Sequence, residues 1–151
     1  MVGIISDTHG LLRPEAVAAL QGADHIIHAG DVGNAKILEA LRKIAPLTCI
    51  LGNIDRASDF PTLSETEIVE LSGHTFYVIH DVKQLDLDPA AAGFSAVISG
   101  HSHQPEIETI KGVLYFNPGS AGPRRFTLPI SLGKILISGA GLRAEIVTLD
   151  A

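Results

Sequence analysis

Cysteine occurs once in the 151 residues, so no internal disulfide can form. Cys49 lies inside the apolar run from Leu47 to Leu51, which marks it as a core residue rather than a reactive thiol. The chain also has too few thiols for a closed structural zinc site. Positive charge is scarce: 11 Lys and Arg stand against 17 Asp and Glu, a formal charge of −6. That balance argues against a broad grip on nucleic acid, which needs a clustered basic surface. It leaves room for a small phosphate-bearing substrate held by metal. No apolar segment approaches the roughly 18 residues of a membrane span. Met1 is followed at once by a short strand-like run, with no basic start and no apolar export segment. The expectation is a cytoplasmic protein with no membrane partner. A P-loop lysine motif is missing, and Gly139-Ala140-Gly141 lacks the third glycine and following helix of a dinucleotide site, so it reads as a turn. Repeats, low-complexity tracts and linkers are absent as well.

What is present is a chain with 46% hydrophobic and 19% charged residues, long enough to bury a core without staples. A single domain over residues 1–151 is expected. Val2 to Ile5 form an unalternating apolar run that stops at Ser6-Asp7-Thr8-His9-Gly10, the pattern of a strand buried on both faces. If the chain stays extended there, Asp7 and His9 leave it on the same side. Pro14 then opens a helix that Gly22 stops, and His25 to Ala29 form a second strand ending at Gly30-Asp31. A helix capped by Asn34 runs to Ile44, and Pro46 releases the chain into a third strand, Leu47 to Leu51, ending at Gly52-Asn53-Ile54-Asp55. Strand, helix, strand, helix, strand predicts parallel pairing, with the working loops beyond the carboxyl ends of the strands.

After Pro61 the period changes. Glu67 to Leu71 and Thr75 to Ile79 read as a hairpin that ends in His80-Asp81. Asp88 to Gly93 reads as a short alanine-rich helix, and Ala96 to Ser99 as a strand running into Gly100-His101-Ser102-His103. Glu106 to Ile110 with Val113 to Phe116 form another hairpin, closed by Asn117-Pro118-Gly119-Ser120, and Leu132 to Ser138 with Arg143 to Leu149 a final one. His25, His28 and His74 sit in or beside strands and read as structural.

The strand ends thus offer Asp7, His9, Asp31, Asn53, His80, His101 and His103. This mixed nitrogen and oxygen set suits Mn, Fe, Zn, Ni or Co better than Ca or Mg. Seven donors exceed one tetrahedral ion and match two ions sharing a carboxylate. Two ions about 3.5–4 Å apart activate a shared water and neutralise the charge that develops in phosphoester hydrolysis.

In their order and spacing, Asp7-x-His9, Gly30-Asp31, Gly52-Asn53, His80 and Gly100-His101-x-His103 resemble the calcineurin-like metallophosphoesterase family. The short chain, with SDTHG near one end and NPGS near the other, is similar to its small bacterial and archaeal phosphodiesterase branch. The resemblance implies an α/β, four-layer αββα sandwich of two mixed β-sheets flanked by helices. It implies a metal-dependent phosphodiesterase in which a hydroxide between two divalent ions attacks a small phosphoester, manganese first, with iron, nickel, cobalt or zinc as alternatives. One ion would take Asp7, His9, Asp31 and His103, and the other Asp31, Asn53, His80 and His101. Asn53 and Asp31 would be the catalytic residues, with Asn53 close to the phosphate. A homo-oligomer is compatible with this reading.

Two positions depart from the pattern. Ile54 stands where many members have a histidine that protonates the leaving group, and Asp81 stands where a glycine is usual. Asp55, Asp81, Arg124 and Arg125 receive no assigned role. A non-catalytic protein-binding scaffold is the alternative, because a sorting-complex subunit resembles the same fold and Ile54 fits it. The intact donor set favours the enzyme.

Overall fold

The computed structural model describes all 151 residues, Met1 to Ala151. Its ten strands make two five-stranded sheets. In the first, β1 (Val2–Ile5), β2 (His25–His28) and β3 (Leu47–Cys49) run parallel. The hairpin of β9 (Ser131–Ser138) and β10 (Gly141–Thr148) joins β1 antiparallel, giving the order β10-β9-β1-β2-β3. In the second, β4 (Thr66–Leu71), β5 (His74–Ile79), β6 (Ala96–Ile98), β7 (Glu106–Ile110) and β8 (Val113–Asn117) take the order β4-β5-β6-β8-β7.

The helices form where the apolar spacing and caps place them. In α1 (Pro14–Ala19) proline occupies the first turn, where its missing N–H is not needed. In α2 (Ala35–Arg42) the Asn34 side chain accepts from the Lys36 amide at 2.9 Å, and Ile37, Leu38 and Leu41 turn inward. Strand alternation then divides the core. Ile5 and Ile26 face the helices, together with Leu20, Leu38 and Leu41. Ile4 and Ile27, one residue earlier or later, face the other sheet and meet Phe76, Val78, Ile98 and Phe116. No helix is long and apolar enough to cross a membrane.

The expected elements differ in two places. The third strand stops at Cys49 instead of Leu51: β2 itself ends at His28, whose carbonyl accepts from the Ile50 amide at 3.3 Å, and Ile50 then bridges Ser64. Asp88 to Gly93 is no helix: the amide of Ala92 reaches Asp88 at 3.0 Å, but Gly93 adopts φ +79° and ends the turn. One turn fixes too many dihedrals for the bonds it gains. The outer face of the second sheet is instead covered by Leu85, Leu87 and Phe94, from a 3-10 turn (Val82–Gln84) and the loop after it. The second sheet is mixed, as expected: β5, β6 and β8 run parallel to one another between antiparallel edges.

That parallel triplet matters for the site. Parallel neighbours deliver their following loops to one edge. Two triplets, β1-β2-β3 and β5-β6-β8, therefore bring six loops to a single end of the sandwich.

Candidate metal centre

The first loop leaves β1 in a conformation that extended backbone does not supply. Asp7 and His9 adopt φ of 56° and 46°, and so do Asp31, His101 and His103 at 56°, 72° and 61°. These five account for most of the eight non-glycine residues with positive φ. Backbone strain of this kind costs on the order of 1–3 kcal/mol per residue and persists only where the surroundings impose it. The surroundings here are explicit. The amides of Asp7, His9 and Gly10 donate to the carbonyls of Gly30, Asp31 and Val32 at 3.0, 2.9 and 2.8 Å, so the first two loops are zipped together. Asp7 and His9 point into the same space through this zipper and not through the pleat of an extended chain.

Five of the seven expected donors converge tightly. Asp7 Oδ1 lies 3.6 Å from His9 Nε2, 3.4 Å from His103 Nε2 and 3.8 Å from His80 Nε2. Asp31 Oδ2 lies 3.3 Å from both His9 Nε2 and His80 Nε2. The donor atoms form two overlapping groups, Asp7-His9-His103 and Asp7-Asp31-His80, each within 4.8 Å. The remaining two sit on the rim. The Asn53 amide, with its nitrogen inward, donates to His80 Nε2 at 3.1 Å and to the Asp31 oxygens at 3.2 and 3.1 Å. His101 stands edge-on to His80, ring centres 5.2 Å apart, and His9 meets His103 at 5.3 Å. The imidazoles are thus paired across the loop, one from each motif.

The cluster is incomplete as a protein-only arrangement. Asp7 Oδ1, His9 Nε2 and His103 Nδ1 are buried without a hydrogen-bond partner, a cost of about 1–3 kcal/mol each if left so. Burial would raise the Asp7 carboxyl, but the neighbouring imidazoles of His103 and His9 and the Ser6 hydroxyl hold it well below the usual carboxylate range. Asp31 is lowered against the same burial by His80 and the Ile54 amide. His9 is raised, first by Asp7. His80 is raised too, since Asp31 and Asp7 outweigh its burial. Two ionised carboxylates stand among the imidazoles, and a divalent cation there would meet two of the orphaned atoms, Asp7 Oδ1 and His9 Nε2, at once. The residues fit a metal.

A second tier holds the donors still. Ser6 Oγ donates to Asp7 Oδ2 at 2.6 Å, and the His101 amide donates to the same oxygen at 3.0 Å. His80 Nδ1 donates to the Ala29 carbonyl at 2.6 Å, which leaves the Nε2 lone pair facing inward. Gly52 and Gly100 are tied to their type by space: a Cβ on the first would collide with the Asp31 carboxylate, and on the second with Ser6 Oγ and Asp7. The Asp55 carboxylate accepts from the amides of Val32, Gly33 and Gly52 at 3.0, 3.0 and 2.9 Å. It clamps the Asp31 loop to the Asn53 loop. Asn117 Nδ2 donates to the Gly100 carbonyl and Ser102 Oγ at 2.9 and 3.1 Å, while Ser120 Oγ donates to the Asp7 carbonyl at 3.0 Å.

Sequence reasoning did not assign Ser6, Asp55, Asn117 or Ser120 to the site. The signal for the last two was the NPGS run itself, since buried Asn and Ser require partners. The three histidines read as structural are so: His25 bonds Thr48 at 2.7 Å, His74 bonds Ser95 at 3.0 Å, and His28 bonds Thr8 at 3.0 Å. Asp81 caps the 3-10 turn through the Lys83 amide and brings Oδ2 to 3.8 Å from His101 Nε2. Arg124 and Arg125 are exposed beyond Gly122, and Ile54 is 46% exposed on the rim.

Comparison with known proteins agrees with this geometry. The domain model of the calcineurin-like phosphoesterase superfamily matches residues 1–138. A probable metallophosphoesterase of Methanothermobacter thermautotrophicus is 36% identical across the whole chain and 94% of its own length. Among solved structures, an archaeal phosphodiesterase superposes with a TM-score of 0.78 at 22% identity, covering 97% of this chain and 99% of that one. Zinc-complexed Vps29 of Entamoeba histolytica superposes with a TM-score of 0.74 at 20% identity, covering 97% and 98%.

Proposed function

This chain belongs to the calcineurin-like phosphoesterase superfamily and is a metal-dependent phosphoester hydrolase; from that premise we propose that it cleaves phosphodiesters with two divalent ions. The observation that carries this reading is the pair of overlapping donor groups with its orphaned buried atoms. Asp7, His9, His103 and Asp31 would hold one ion. Asp31 would be shared, with Asn53, His80 and His101 holding the other. Manganese suits the mixed set, as do iron, nickel, cobalt and zinc. When bound, the ions lower the pKa of a water and neutralise charge on the phosphoryl oxygens.

The chain's own residues do the rest. Asp7 and Asp31 stay ionised at neutral pH and keep the cage negative. His80 offers Nε2 because Nδ1 is committed to Ala29. With its amide oxygen on the ion, Asn53, exposed on the rim, would turn Nδ2 outward, where it can donate to a phosphoryl oxygen. Ile54 carries no proton to the leaving group, a contribution typically worth about 10²–10⁴-fold. Substrates with good leaving groups are therefore favoured.

The experiment is turnover of bis(p-nitrophenyl) phosphate by the full chain with Mn²⁺, Ni²⁺ or Co²⁺, beside calorimetric titration of each ion. Turnover well above a His101→Ala control and two ions per chain are expected. No turnover above that control would turn the reading towards the scaffold, which Ile54 and the likeness to Vps29 favour. One ion per chain would remove the dinuclear centre.

A further inference from the structure

A cavity of about 450 Å³ opens beside the outer half of the centre, with Asn53, His80 and His101 in its wall. Its other charged lining residues are Glu65, Asp81 and Asp86, and neither Lys nor Arg takes part. Thr66, Gln84 and Tyr77 add uncharged hydrogen-bonding groups. A neighbouring cavity of about 290 Å³ shares Asp81 and His101 and adds Glu106 and Glu108 against a single Lys83. The flank of the centre around His101 is therefore acidic on both sides. Across the centre the sign reverses: Arg124 and Arg125 follow Gly122, which packs on the carbonyls of Asp7 and Thr8, and the Arg125 charge is felt at His9.

A phosphodiester carries two arms on one phosphate. The ions would take the non-bridging oxygens, so each arm extends along one flank. A second phosphate or a carboxylate on the arm beside His101 would meet like charge from several carboxylates. We propose that the acidic cavity seats the non-reacting arm of the substrate, and that this arm is a neutral or cationic polar alcohol and never an anionic one. Glu65 and Asp86 set that preference by charge, and Tyr77, Thr66 and Gln84 supply hydrogen bonds to hydroxyl or ammonium groups. The inference rests on the diesterase reading above and adds the substrate's charge to it.

Three aryl phosphodiesters sharing the p-nitrophenol leaving group test it: one with a choline arm, one with an ethyl arm and one with a carboxyethyl arm. Metal-loaded protein is expected to prefer them in that order, with kcat/KM spanning about tenfold or more between the first and last at low salt. The span should shrink at high salt, because exposed carboxylates are screened. A Glu65→Gln, Asp86→Asn double variant should bring the ratio close to one. Calorimetric binding of the products phosphocholine and carboxyethyl phosphate should follow the same order. Equal kcat/KM for all three in the wild type, or a ratio untouched by the double variant, would overturn the inference while leaving the diesterase reading in place. Failure to turn over any of the three would remove both.

Discussion

The two halves of the centre are built differently. Asp7, His103 and Asp31 are buried, and their loops are zipped to each other through backbone and carboxylate bonds. Asn53 is exposed and the His101 side chain is 45% accessible, so the outer half stands open to the cavity beside it. The inner half is preorganised, while the outer half is where a substrate arrives. A site that must hold a cation tightly and still admit an anion needs both kinds of wall.

Variants that blur this division should have effects in proportion to what they remove. Asp31→Asn strikes both halves, because its carboxylate faces His9 and His80 alike. It should abolish turnover and weaken both binding steps in a calorimetric titration; loss of one step alone would show that the carboxylate is not shared. His103→Ala and His101→Ala should separate the halves. The first is expected to remove the tighter step and the second the weaker one, each lowering kcat by about 10²-fold or more, in the range of a lost electrostatic stabiliser. If both erase the same step, the halves are one site. Ile54→His acts on the open side only and should speed poor-leaving-group esters by roughly 10-fold or more, since a positioned acid contributes at least that much. Unchanged rates would mean that a proton reaches the leaving group by another route.

Asp55→Asn touches neither half directly but loosens the clamp between their loops. Metal affinity should fall roughly 10–100-fold, as for partners that orient ligands, with Tm falling by only a few degrees. A drop in Tm with unaltered affinity would make Asp55 a purely structural brace. The smallest effect concerns pH. Burial pushes the His28 imidazole down to about 4 from 6.5. Above pH 6.5 the folded and unfolded chains are both neutral there; between 6.5 and 4 the unfolded chain alone takes the proton. Stability from this residue is therefore full above 6.5 and falls with pH by at most about 1.4 kcal/mol per unit. His28→Asn in metal-free protein should flatten the denaturation midpoint over that window relative to the wild type, and an unchanged slope would show that His28 does not stay neutral.

Much of this was legible in the chain. Apolar runs that stop at Asp, Asn and His mark strand ends, and parallel strands deliver such ends to one edge, so Asp7, Asp31 and Asn53 could be grouped before any coordinates. His80, His101 and His103 needed more, because hairpin signals do not reveal that β5, β6 and β8 are parallel to each other. Asp55 was hidden for another reason. A carboxylate that accepts three amides leaves no periodic trace, since two of its partners lie 23 and 22 residues away in another loop. The run from Asp88 to Gly93 misled through composition: alanine favours helix, but three alanines between Pro89 and Gly93 cannot propagate one.

The left-handed backbone at Asp7, His9, Asp31, His101 and His103 has a consequence for how such a centre can change. The side chains that tolerate this conformation best, Asp, Asn and His, are also good donors to divalent ions. Exchanges among those three would alter charge and softness, and hence the preferred metal, with the loops left as they are. A β-branched residue at any of the five would have to rebuild the backbone before it reached the ion. The loops thus act as a filter on sequence drift: the centre can be retuned in small steps, and its routes out of metal chemistry begin with a structural penalty.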